Sequence, residues 1–237
     1  MPDAIKGPPS EEIQSLFSSI AHGYDSANDW ITFGMARMWR KQLVKWSGAT
    51  SGTSVLDCAC GTGDLTIEFK REVGEGFVVG TDFCEPMLVR APRKARALGL
   101  DIHFQKADVT KLGFASASFD VSSIAYGIRN VEDPGKALSE LARVVKPGGH
   151  VMVLETGDQQ MPLISNAFDI YFRHVVPRIG GWITGRKEAY QYLNRSSKKF
   201  PAREKFVELM MSTGRYSKVE YRSLMGGASF IYKGTVV

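Results

Sequence analysis

The sequence lacks any apolar run close to the ~20 residues that a helix needs to cross a bilayer. The amino-terminal segment has neither the apolar core of a signal peptide nor the arginine-rich pattern of a transit peptide. Cysteine is scarce: Cys58, Cys60 and Cys84 are too few and too close for a disulfide framework, and no histidine lies near them in sequence. These absences predict a cytoplasmic protein of a reducing compartment, with buried thiols and no metal site.

The composition is that of a folded domain with a basic surface. With 237 residues, 43% of them hydrophobic and 23% charged, the chain can bury the core of one sizeable α/β domain but hardly of two. The formal charge of +5 favours an anionic partner, such as nucleic acid or a membrane surface, or else a solvated basic face. No appended binding module and no strip of interleaved basic and aromatic residues occurs, which argues against nucleic acid.

Apolar segments of strand length alternate with segments of helical periodicity between residues 53 and 157. This alternation predicts a mostly parallel sheet with helices on both faces and with ligands at the carboxyl ends of the strands. Residues 216–237 read as two further strands around a Gly-Gly turn, so a C-terminal antiparallel hairpin completes a seven-stranded, Rossmann-like α/β fold. Within it we expect one continuous helix over residues 85–99 and a helix end at residues 146–149.

The chain is predicted to form a single domain, residues 11–237, after a disordered amino terminus of residues 1–10. Residues 11–50 are predicted to form an N-terminal helical cap. Residues 158–200, which are rich in aromatic side chains, are predicted to form a lid or substrate-binding insertion. In the cap, the spacing of apolar residues predicts two buried helical faces: Ile13, Leu16, Phe17 and Ile20 on one, and Met35, Met38, Trp39 and Leu43 on the other.

A glycine-rich turn follows the first predicted strand, in the segment Leu56–Thr66 (LDCACGTGDLT). Gly61 and Gly63 stand where a cofactor must approach the backbone closely. Asp82 ends the next strand, 19 residues after Gly63, at the position from which a carboxylate binds ribose hydroxyls. The pattern indicates a cofactor with a nucleoside part, while a plain tight turn remains the alternative for the glycines alone.

The side chains near this turn separate a dinucleotide from S-adenosylmethionine (SAM). A dinucleotide loop calls for glycine where Thr66 stands, and Asp64 would repel a phosphate at the helix N-terminus. SAM has no phosphate and carries an ammonium and a sulfonium group, which are compatible with Asp57 and Asp64. Asp108 ends the third strand, where an adenine amino group needs an acceptor. The predicted cofactor is therefore SAM. The predicted cofactor-binding residues are Asp57, Gly61, Thr62, Gly63, Asp82, Phe83, Asp108, Val109 and Ala125.

Three further segments carry a resemblance to a known family: Tyr24–Trp39 (YDSANDWITFGMARMW), Tyr126–Asp133 (YGIRNVED) and Arg143–Glu155 (RVVKPGGHVMVLE). With the glycine turn, they resemble the ubiquinone/menaquinone biosynthesis C-methyltransferases, a family of class I SAM-dependent methyltransferases, over residues 12–234. The resemblance implies methyl transfer from SAM to a ring carbon of a prenylated quinol. The acceptor would be a demethylmenaquinol, a methoxy-polyprenyl-benzoquinol, or both, and demethylmenaquinol is the first expectation.

The chain departs from the family pattern at several positions. Ala27, Thr32 and Ala36 stand where Met, Ser and His are usual, and Gly157 replaces a Ser. Ala125 and its neighbour replace a usual Ser-Phe pair, so the contact that the serine would make with the cofactor does not transfer. These departures concern the identity of the substrate more than the family.

An apolar strand is followed directly by Arg129 and Asn130. Because a buried, unpaired guanidinium is very costly, Arg129 must be paired, solvated or functional. Carbon methylation needs an electron-rich ring, and ionisation of a quinol hydroxyl provides one. We expect Arg129 to stabilise the resulting oxyanion or to position a water molecule, and Asn130 to orient the ring. The alternative is a structural ion pair between Arg129 and one of three carboxylates: Glu132, Asp133 or Asp25.

The N-terminal helices are expected to add Tyr24 and Asp25 to the catalytic residues, by closing over the site, with an ordinary helix junction as the alternative. His22 and His174 are candidates for the general base, each with a purely structural role as its alternative. No metal is needed for this chemistry.

The predicted partner is a prenylated quinol, whose tail needs an apolar slot. We place this slot between residues 158–200 and the N-terminal helices, with a plain extension of the core as the alternative for that segment. The basic run Arg195–Lys205 is expected to lie against anionic lipid at the inner membrane surface, with a solvated face as the alternative. A homodimer is compatible with the sequence.

Three other classes of protein share part of this sequence pattern. They are a SAM enzyme acting on RNA or on another small molecule, a non-catalytic SAM-fold scaffold that binds lipid, and an NAD oxidoreductase. Intact Gly61, Gly63 and Asp82 argue against the scaffold, and Asp64 and Thr66 argue against NAD.

Overall fold

One seven-stranded sheet forms the centre of the computed structural model, which describes residues 5–157 and 171–237. The strands are β1 (Val55–Cys58), β2 (Val78–Asp82), β3 (His103–Lys106), β4 (Phe119–Ala125), β5 (Val145–Thr156), β6 (Tyr216–Leu224) and β7 (Ser229–Val236). Their spatial order is β3-β2-β1-β4-β5-β7-β6. Strands β1 to β5 pair in parallel, and β7 lies antiparallel between β5 and β6. The predicted mostly parallel sheet with a C-terminal antiparallel hairpin is confirmed.

Helices connect and cover these strands. They are α1 (Ser10–Ile20), α2 (Tyr24–Thr32), α3 (Met35–Ser47), α4 (Asp64–Val73), α5 (Glu85–Leu88), α6 (Arg90–Ala97), α7 (Pro134–Arg143), α8 (Val176–Thr184), α9 (Lys187–Lys199) and α10 (Glu204–Ser212). A short π-helical segment, Tyr171–Val175, precedes α8. Among the helices of the described residues, none is both long and apolar enough to cross a membrane.

The core lies on both faces of the sheet. All four residues of β1 are buried, as expected for a central strand covered from two sides. One face packs on α7 and α10 through Leu138 and Phe206. The other packs on α3 and α4 through Leu43 and Phe69. This three-layer arrangement confirms the predicted Rossmann-like fold with helices on both faces.

A separate helical layer forms from α1, α2, α8 and α9. Ile31, Val176 and Tyr190 are buried together in it. Gly23, just before α2, lies against Thr184 at the end of α8, where a Cβ on Gly23 would come within 2.9 Å of Thr184 Cγ2. Helices α2 and α8 are therefore antiparallel neighbours. The layer joins the predicted cap to the described part of the predicted lid, while residues 158–170 lie outside the described residues.

Near the amino terminus, two details differ from the sequence-based expectation. Helix α1 begins at Ser10, and Gly7 donates a hydrogen bond to the Glu132 carbonyl at 2.9 Å, so the chain is already in contact with the domain before residue 11. Met38 is 48% exposed, because the buried side of α3 is formed by Ala36, Trp39 and Leu43. The domain limits themselves stay predictions.

Two proline-containing segments also differ from expectation. The single helix expected over residues 85–99 is broken into α5 and α6, because Pro92 has no N–H to bond back to the preceding turn. The segment 146–149 was expected to end α7, but α7 ends at Arg143 and the segment belongs to β5, which begins at Val145. Its register against β4 is irregular here, and Gly149 passes so close to the Asp120 carbonyl that a Cβ would lie 2.5 Å away.

Candidate active site

A cleft opens at the carboxyl ends of β1, β2 and β4, with about 870 Å³ of empty space including its open mouth, and we call it the strand-end cleft. Helix α1 borders it through Ile13 and Phe17. Most of the predicted site residues line it: Tyr24, Gly61, Asp82, Phe83, Asp108, Val109, Ala125 and Asn130. The fold therefore brings together side chains that are far apart in the sequence. The remaining predicted residues, Asp25, Asp57, Thr62, Gly63 and Arg129, lie around this cleft but do not line it.

Asp82 connects the glycine turn to the end of β2. Its two carboxylate oxygens accept hydrogen bonds from the backbone N–H groups of Gly61, at 2.7 Å, and Cys84, at 2.8 Å. Burial raises the pKa of Asp82 from 3.8 to about 6, although both N–H groups act in the opposite direction. The side chain is 6% exposed and borders the cleft. It is thus a fixed carboxylate acceptor at the cleft wall.

Gly63 shapes the turn without lining the cleft. Its φ is +85°, and a Cβ would lie 2.9 Å from Ala91 Cβ and 3.2 Å from the Phe104 ring. Both the backbone conformation and the lack of space therefore require glycine. Close packing of the turn onto α6 and β3 is the consequence.

Asp57 lies beneath the cleft and not in it. Its carboxylate accepts hydrogen bonds at 2.7 Å from the hydroxyls of Thr66 and Ser123, and the residue is 1% exposed. Burial raises the pKa of Asp57 from 3.8 to about 6, opposed by the two hydroxyl bonds. Among the described residues Asp57 therefore supports the strand ends and does not line the cleft, and its contact with the cofactor stays a prediction.

Asp57→Asn should raise the free energy of unfolding at neutral pH. The folded-state pKa lies above the unfolded one, so this group's contribution to stability is complete below about pH 3.8 and is lost as the pH rises through about 6. Because one pKa unit corresponds to about 1.4 kcal/mol, the ionised carboxylate costs up to about 3 kcal/mol above that range. The asparagine keeps both bonds, since hydroxyls can also accept. Urea unfolding of both proteins at pH 4 and pH 8 checks this: the gain should appear at pH 8 and shrink at pH 4, and an equal or lower stability at pH 8 contradicts it.

A charged network lies beside the strand-end cleft. Asp64, the first residue of α4, accepts hydrogen bonds from Arg40, at 2.7 Å, and from Lys94. Lys94 also binds Asp25 at 2.7 Å, and Asp25 accepts a hydrogen bond from the Thr62 hydroxyl. Burial opposes ionisation of Asp64, but Arg40 and Lys94 together hold its pKa below the usual range. The predicted residues Asp25 and Thr62 therefore connect α2 to the glycine turn.

A second, larger cavity of about 1410 Å³ lies next to the first, and we call it the apolar cavity. Its walls come from α2, α3, α8 and α9 and from the turn between β6 and β7. Nine of its twenty lining residues have aliphatic, thioether, phenyl or indole side chains: Ile31, Phe33, Met35, Ala36, Trp39, Val176, Leu193, Met225 and Ala228. Tyr24 and Tyr126 line both cavities. Burial raises the pKa of both tyrosines, which keeps their hydroxyls protonated at the junction.

Arg129 lines the apolar cavity and is 7% exposed. Its Nη1 binds the Glu155 carboxylate and also donates to the Tyr126 carbonyl at 3.0 Å. The ion pair is almost fully buried, with the two side chains 6% and 2% exposed. Arg129 does form a structural ion pair, but its partner is Glu155. The expected partners, Glu132, Asp133 and Asp25, were wrong. Its Nε is buried with no hydrogen-bond partner within the described residues.

Asn130 lines the strand-end cleft, and both the nitrogen and the oxygen of its side-chain amide form hydrogen bonds. The Nδ2 donates to the Tyr126 carbonyl at 3.3 Å, and Oδ1 accepts from the Tyr192 hydroxyl at 3.0 Å. Tyr192 lies on α9, so the helical layer fixes the position of this loop. The orientation of Asn130 is thus set by the fold.

The two histidine candidates lie outside both cavities. His22 and His174 are exposed, and neither lines the strand-end cleft or the apolar cavity. The three cysteines carry no disulfide, with Cys58 and Cys84 buried. Burial raises the pKa of the Cys58 thiol to about 12, which makes it unreactive. Over the described part of the chain, no group of His, Cys, Asp or Glu side chains could hold a metal ion.

Sequence reasoning missed Glu155, Tyr126 and Tyr192 as site residues. The pairing of β4 with β5 brings the residues after Ala125 beside Glu155. The sequence feature that could have identified Glu155 was therefore a carboxylate near the end of the strand next to β4. Tyr192 contacts the site only because α9 folds back over it, and no local pattern marks that.

The strand-end cleft fits SAM better than a dinucleotide. A dinucleotide loop needs glycine at position 66, and here the buried side chain of Thr66 stands there with its hydroxyl bonded to Asp57. Asp82 and Asp108 offer carboxylate acceptors to hydroxyl and amino groups, and Phe83 and Val109 offer apolar surface to a purine. The donor and acceptor chemistry of the cleft therefore suits a cationic nucleoside cofactor.

Comparison with known proteins agrees with this chemistry. The family model described as the ubiE/COQ5 methyltransferase family matches residues 6–236. The ubiquinone/menaquinone biosynthesis C-methyltransferase UbiE of Bdellovibrio bacteriovorus is 56% identical over 229 residues, covering 97% of each chain. The protein of the same name from Escherichia coli O1:K1 is 37% identical over 95% of this chain and 90% of its own. A SAM-dependent methyltransferase from Thermotoga maritima has a TM-score of 0.67 at 18% identity, covering 93% of this chain and 98% of its own.

Proposed function

Since the chain belongs to the ubiE/COQ5 methyltransferase family, and so is a SAM-dependent C-methyltransferase of ubiquinone and menaquinone biosynthesis, we propose that its acceptor is demethylmenaquinol. The acceptor ring lies in the apolar cavity, and its prenyl tail follows the walls formed by α2, α8 and α9. A naphthoquinol has no methoxy oxygen, so it needs fewer hydrogen-bond partners in this cavity than the methoxy-benzoquinol does.

One observation carries the placement of the acceptor. The guanidinium of Arg129 lies on the wall of a mostly apolar cavity, and its described contacts, to the Glu155 carboxylate and to the Tyr126 carbonyl, both use Nη1. Other N–H groups of the guanidinium are therefore not used by these contacts. An unsatisfied buried donor costs free energy unless a ligand accepts its hydrogen bond. A quinol oxygen is such an acceptor, and the rest of the quinol is apolar.

The bound cofactor supplies an electrophilic methyl group on a sulfonium. Its binding residues are proposed to be Gly61, Asp82, Phe83, Asp108 and Val109, together with Ala125 beside the junction of the two cavities. Thr62 and Gly63 act behind the turn, and Asp57 acts beneath it. The contact between Asp82 and the turn keeps a carboxylate at the end of β2, where a ribose can bind.

The residues of this chain make the acceptor ring nucleophilic. A free phenol has a pKa near ~10, so the quinol is mostly un-ionised at neutral pH. The guanidinium of Arg129 donates to the hydroxyl oxygen, which favours the ionised form. Glu155 fixes the guanidinium and balances its charge in the absence of acceptor. Asn130 and the hydroxyls of Tyr24 and Tyr126 orient the ring at the junction of the cavities.

Loss of the hydroxyl proton to solvent leaves a phenolate, whose ring carbon would form the new bond to the methyl group while the sulfur–methyl bond breaks and the sulfonium becomes a neutral thioether. The ring carbon then loses its own proton, and the hydroxyl is restored, so one proton is released per methyl transferred. Holding the two reactants in line across the junction is worth ~7–11 kcal/mol in favourable cases. With no histidine on either cavity wall among the described residues, positioning and stabilisation of the oxyanion do most of the work.

The test is an assay of the purified protein with SAM and a short-tailed demethylmenaquinol kept reduced. Mass spectrometry should show one added methyl group on the quinol and none on the oxidised quinone, because only the quinol can form the phenolate. The matching 2-methoxy-benzoquinol is assayed in parallel.

Methylation of the benzoquinol alone would move the acceptor to the ubiquinone branch. Methylation of the oxidised quinone at an equal rate would overturn the phenolate mechanism. If SAM binds and neither ring is methylated, the acceptor assignment fails while the cofactor assignment stands.

A further inference from the structure

The helical layer carries three strongly exposed aromatic side chains. Trp30 on α2 is 63% exposed, Phe33 just after α2 is 71% exposed, and Trp182 on α8 is 87% exposed. Side chains of this size are normally packed, and several of them together on a surface indicate a contact surface. We call these three side chains the aromatic face.

The aromatic face belongs to one continuous part of the structure. Helices α2 and α8 run antiparallel, with Gly23 against Thr184 at one end. At the other end, the Tyr171 hydroxyl donates to the Ile31 carbonyl at 2.9 Å, and its ring lies 5.7 Å from that of Phe33. The inner sides of the two helices are buried together through Ile31 and Val176. The three exposed aromatics thus lie on two adjacent helices, with Trp30 and Phe33 toward one end of the pair and Trp182 toward the other.

The charged residues of α8 and of the turn that follows it are basic, while Glu188 on α9 and Asp29 on α2 are the acidic residues nearest to this segment and to Trp30 along the chain. Arg178, Arg186 and Lys187 are exposed on or just after α8. No Asp or Glu occurs between residues 171 and 187. Aromatic rings beside basic side chains are typical of surfaces that lie at the headgroup level of anionic membranes.

The aromatic face is continuous with the apolar cavity. Phe33 is exposed and also lines the cavity, and the inner sides of α2 and α8 supply Ile31 and Val176 to its wall. A long apolar ligand that enters past Phe33 would therefore pass directly from this surface to the junction with the strand-end cleft.

We propose that the aromatic face, with Arg178 and Arg186, docks on the surface of a bilayer that contains anionic lipid, so that a prenylated acceptor enters the apolar cavity from the membrane. The proposal rests on the proposed function, because only an acceptor dissolved in the bilayer needs such an entry. It places the lipid contact on α2 and α8, whereas the basic run Arg195–Lys205 supplies at most a second contact. Arg203 within that run packs over the Phe230 ring at 5.4 Å.

The experiment is co-sedimentation of the full chain with vesicles of phosphatidylethanolamine and phosphatidylglycerol, and with vesicles of phosphatidylcholine alone. The wild type should bind the anionic vesicles more tightly. Trp30→Ser and Trp182→Ser should each weaken binding about tenfold, because each removes one large side chain from the apolar interface. The double variant should be weakened by roughly the product of the two effects. Phe77→Ser is the matched control, since Phe77 is 58% exposed and precedes β2, at the opposite end of the strand from the cleft.

Turnover separates docking from chemistry. Neither Trp30 nor Trp182 lines either cavity, so the double variant should keep wild-type turnover on a short-tailed quinol in solution. It should lose turnover on a long-tailed quinol embedded in vesicles. The proposal is overturned if the double variant binds anionic vesicles as tightly as the wild type does. It is also overturned if the two tryptophans mediate dimerisation and the wild type does not bind vesicles. If the wild type binds vesicles through the two tryptophans but methylates neither quinol, the docking surface stands and the proposed acceptor fails.

Discussion

Arg129→Met should lower kcat by about 10²–10³-fold, the usual effect of removing one donor to a developing oxyanion, with the dissociation constant of SAM unchanged. The reason is the position of Arg129 on the wall of the apolar cavity, away from the lining of the strand-end cleft. Turnover of demethylmenaquinol gives the first quantity, and calorimetric titration with SAM gives the second. Undiminished turnover by Arg129→Met would contradict the proposed role of Arg129.

Stability must be separated from chemistry in this experiment. Glu155 is 1% exposed, and removal of its partner leaves a buried, unpaired carboxylate that costs about 3–5 kcal/mol. The matched control is therefore Arg129→Met combined with Glu155→Gln, which removes both charges. This double variant should unfold at a urea concentration near that of the wild type and should remain as inactive as the single variant. Recovery of turnover in it would mean that Arg129 serves only to neutralise Glu155.

Asp82→Asn should weaken SAM binding by about 10–100-fold, since hydrogen bonds to a charged group are worth about 1.5–3 kcal/mol. The asparagine also presents an N–H₂ group toward a backbone N–H, of Gly61 or of Cys84. At saturating SAM, kcat should stay close to the wild-type value. Asp120→Asn is the control, because Asp120 is a paired aspartate at the amino-terminal end of β4, remote from the cleft.

The pH dependence of SAM affinity sharpens the Asp82 test. The pKa of this carboxyl is raised to about 6 in the free protein, so the carboxylate acceptor is lost as the pH falls below that value. Wild-type affinity should therefore decrease below pH 6, and the decrease should be absent in Asp82→Asn. A parallel decrease in both proteins would assign the titration to another group.

The parts of the fold that were predictable depend on local patterns. The apolar residues of β1, the glycine turn and Asp82 follow one another within a short stretch, and hydrophobic periodicity with turn chemistry is enough to place them. The break between α5 and α6 was also in the sequence, as Pro92, but the stronger helical pattern around it hid the break. The family, the fold, the SAM cofactor and the enzyme class are confirmed. The demethylmenaquinol acceptor, the domain limits, the homodimer and the membrane contact stay predictions.

The parts that were not predictable depend on neighbours in space. Arg129 follows β4 and Glu155 ends β5, so their ion pair exists because these two strands are adjacent in the sheet. Asp57 and Asp82 look alike in sequence, as carboxylates at strand ends, yet only Asp82 borders the cleft. Their partners distinguish them: the hydroxyls of Thr66 and Ser123 bind Asp57, whereas the N–H groups of Gly61 and Cys84 bind Asp82. Contacts of this kind require the assembled strand order.

Helix α2 has a kinetic consequence through its attachment to the glycine turn. Its Tyr24 borders both cavities, and its Asp25 accepts the hydrogen bond of Thr62. A displacement of α2 that lets the spent cofactor leave must therefore also open the wall around the methylated quinol. Because one helix holds a wall of both cavities, the exchange of the cofactor and the exchange of the quinol would be coupled through α2.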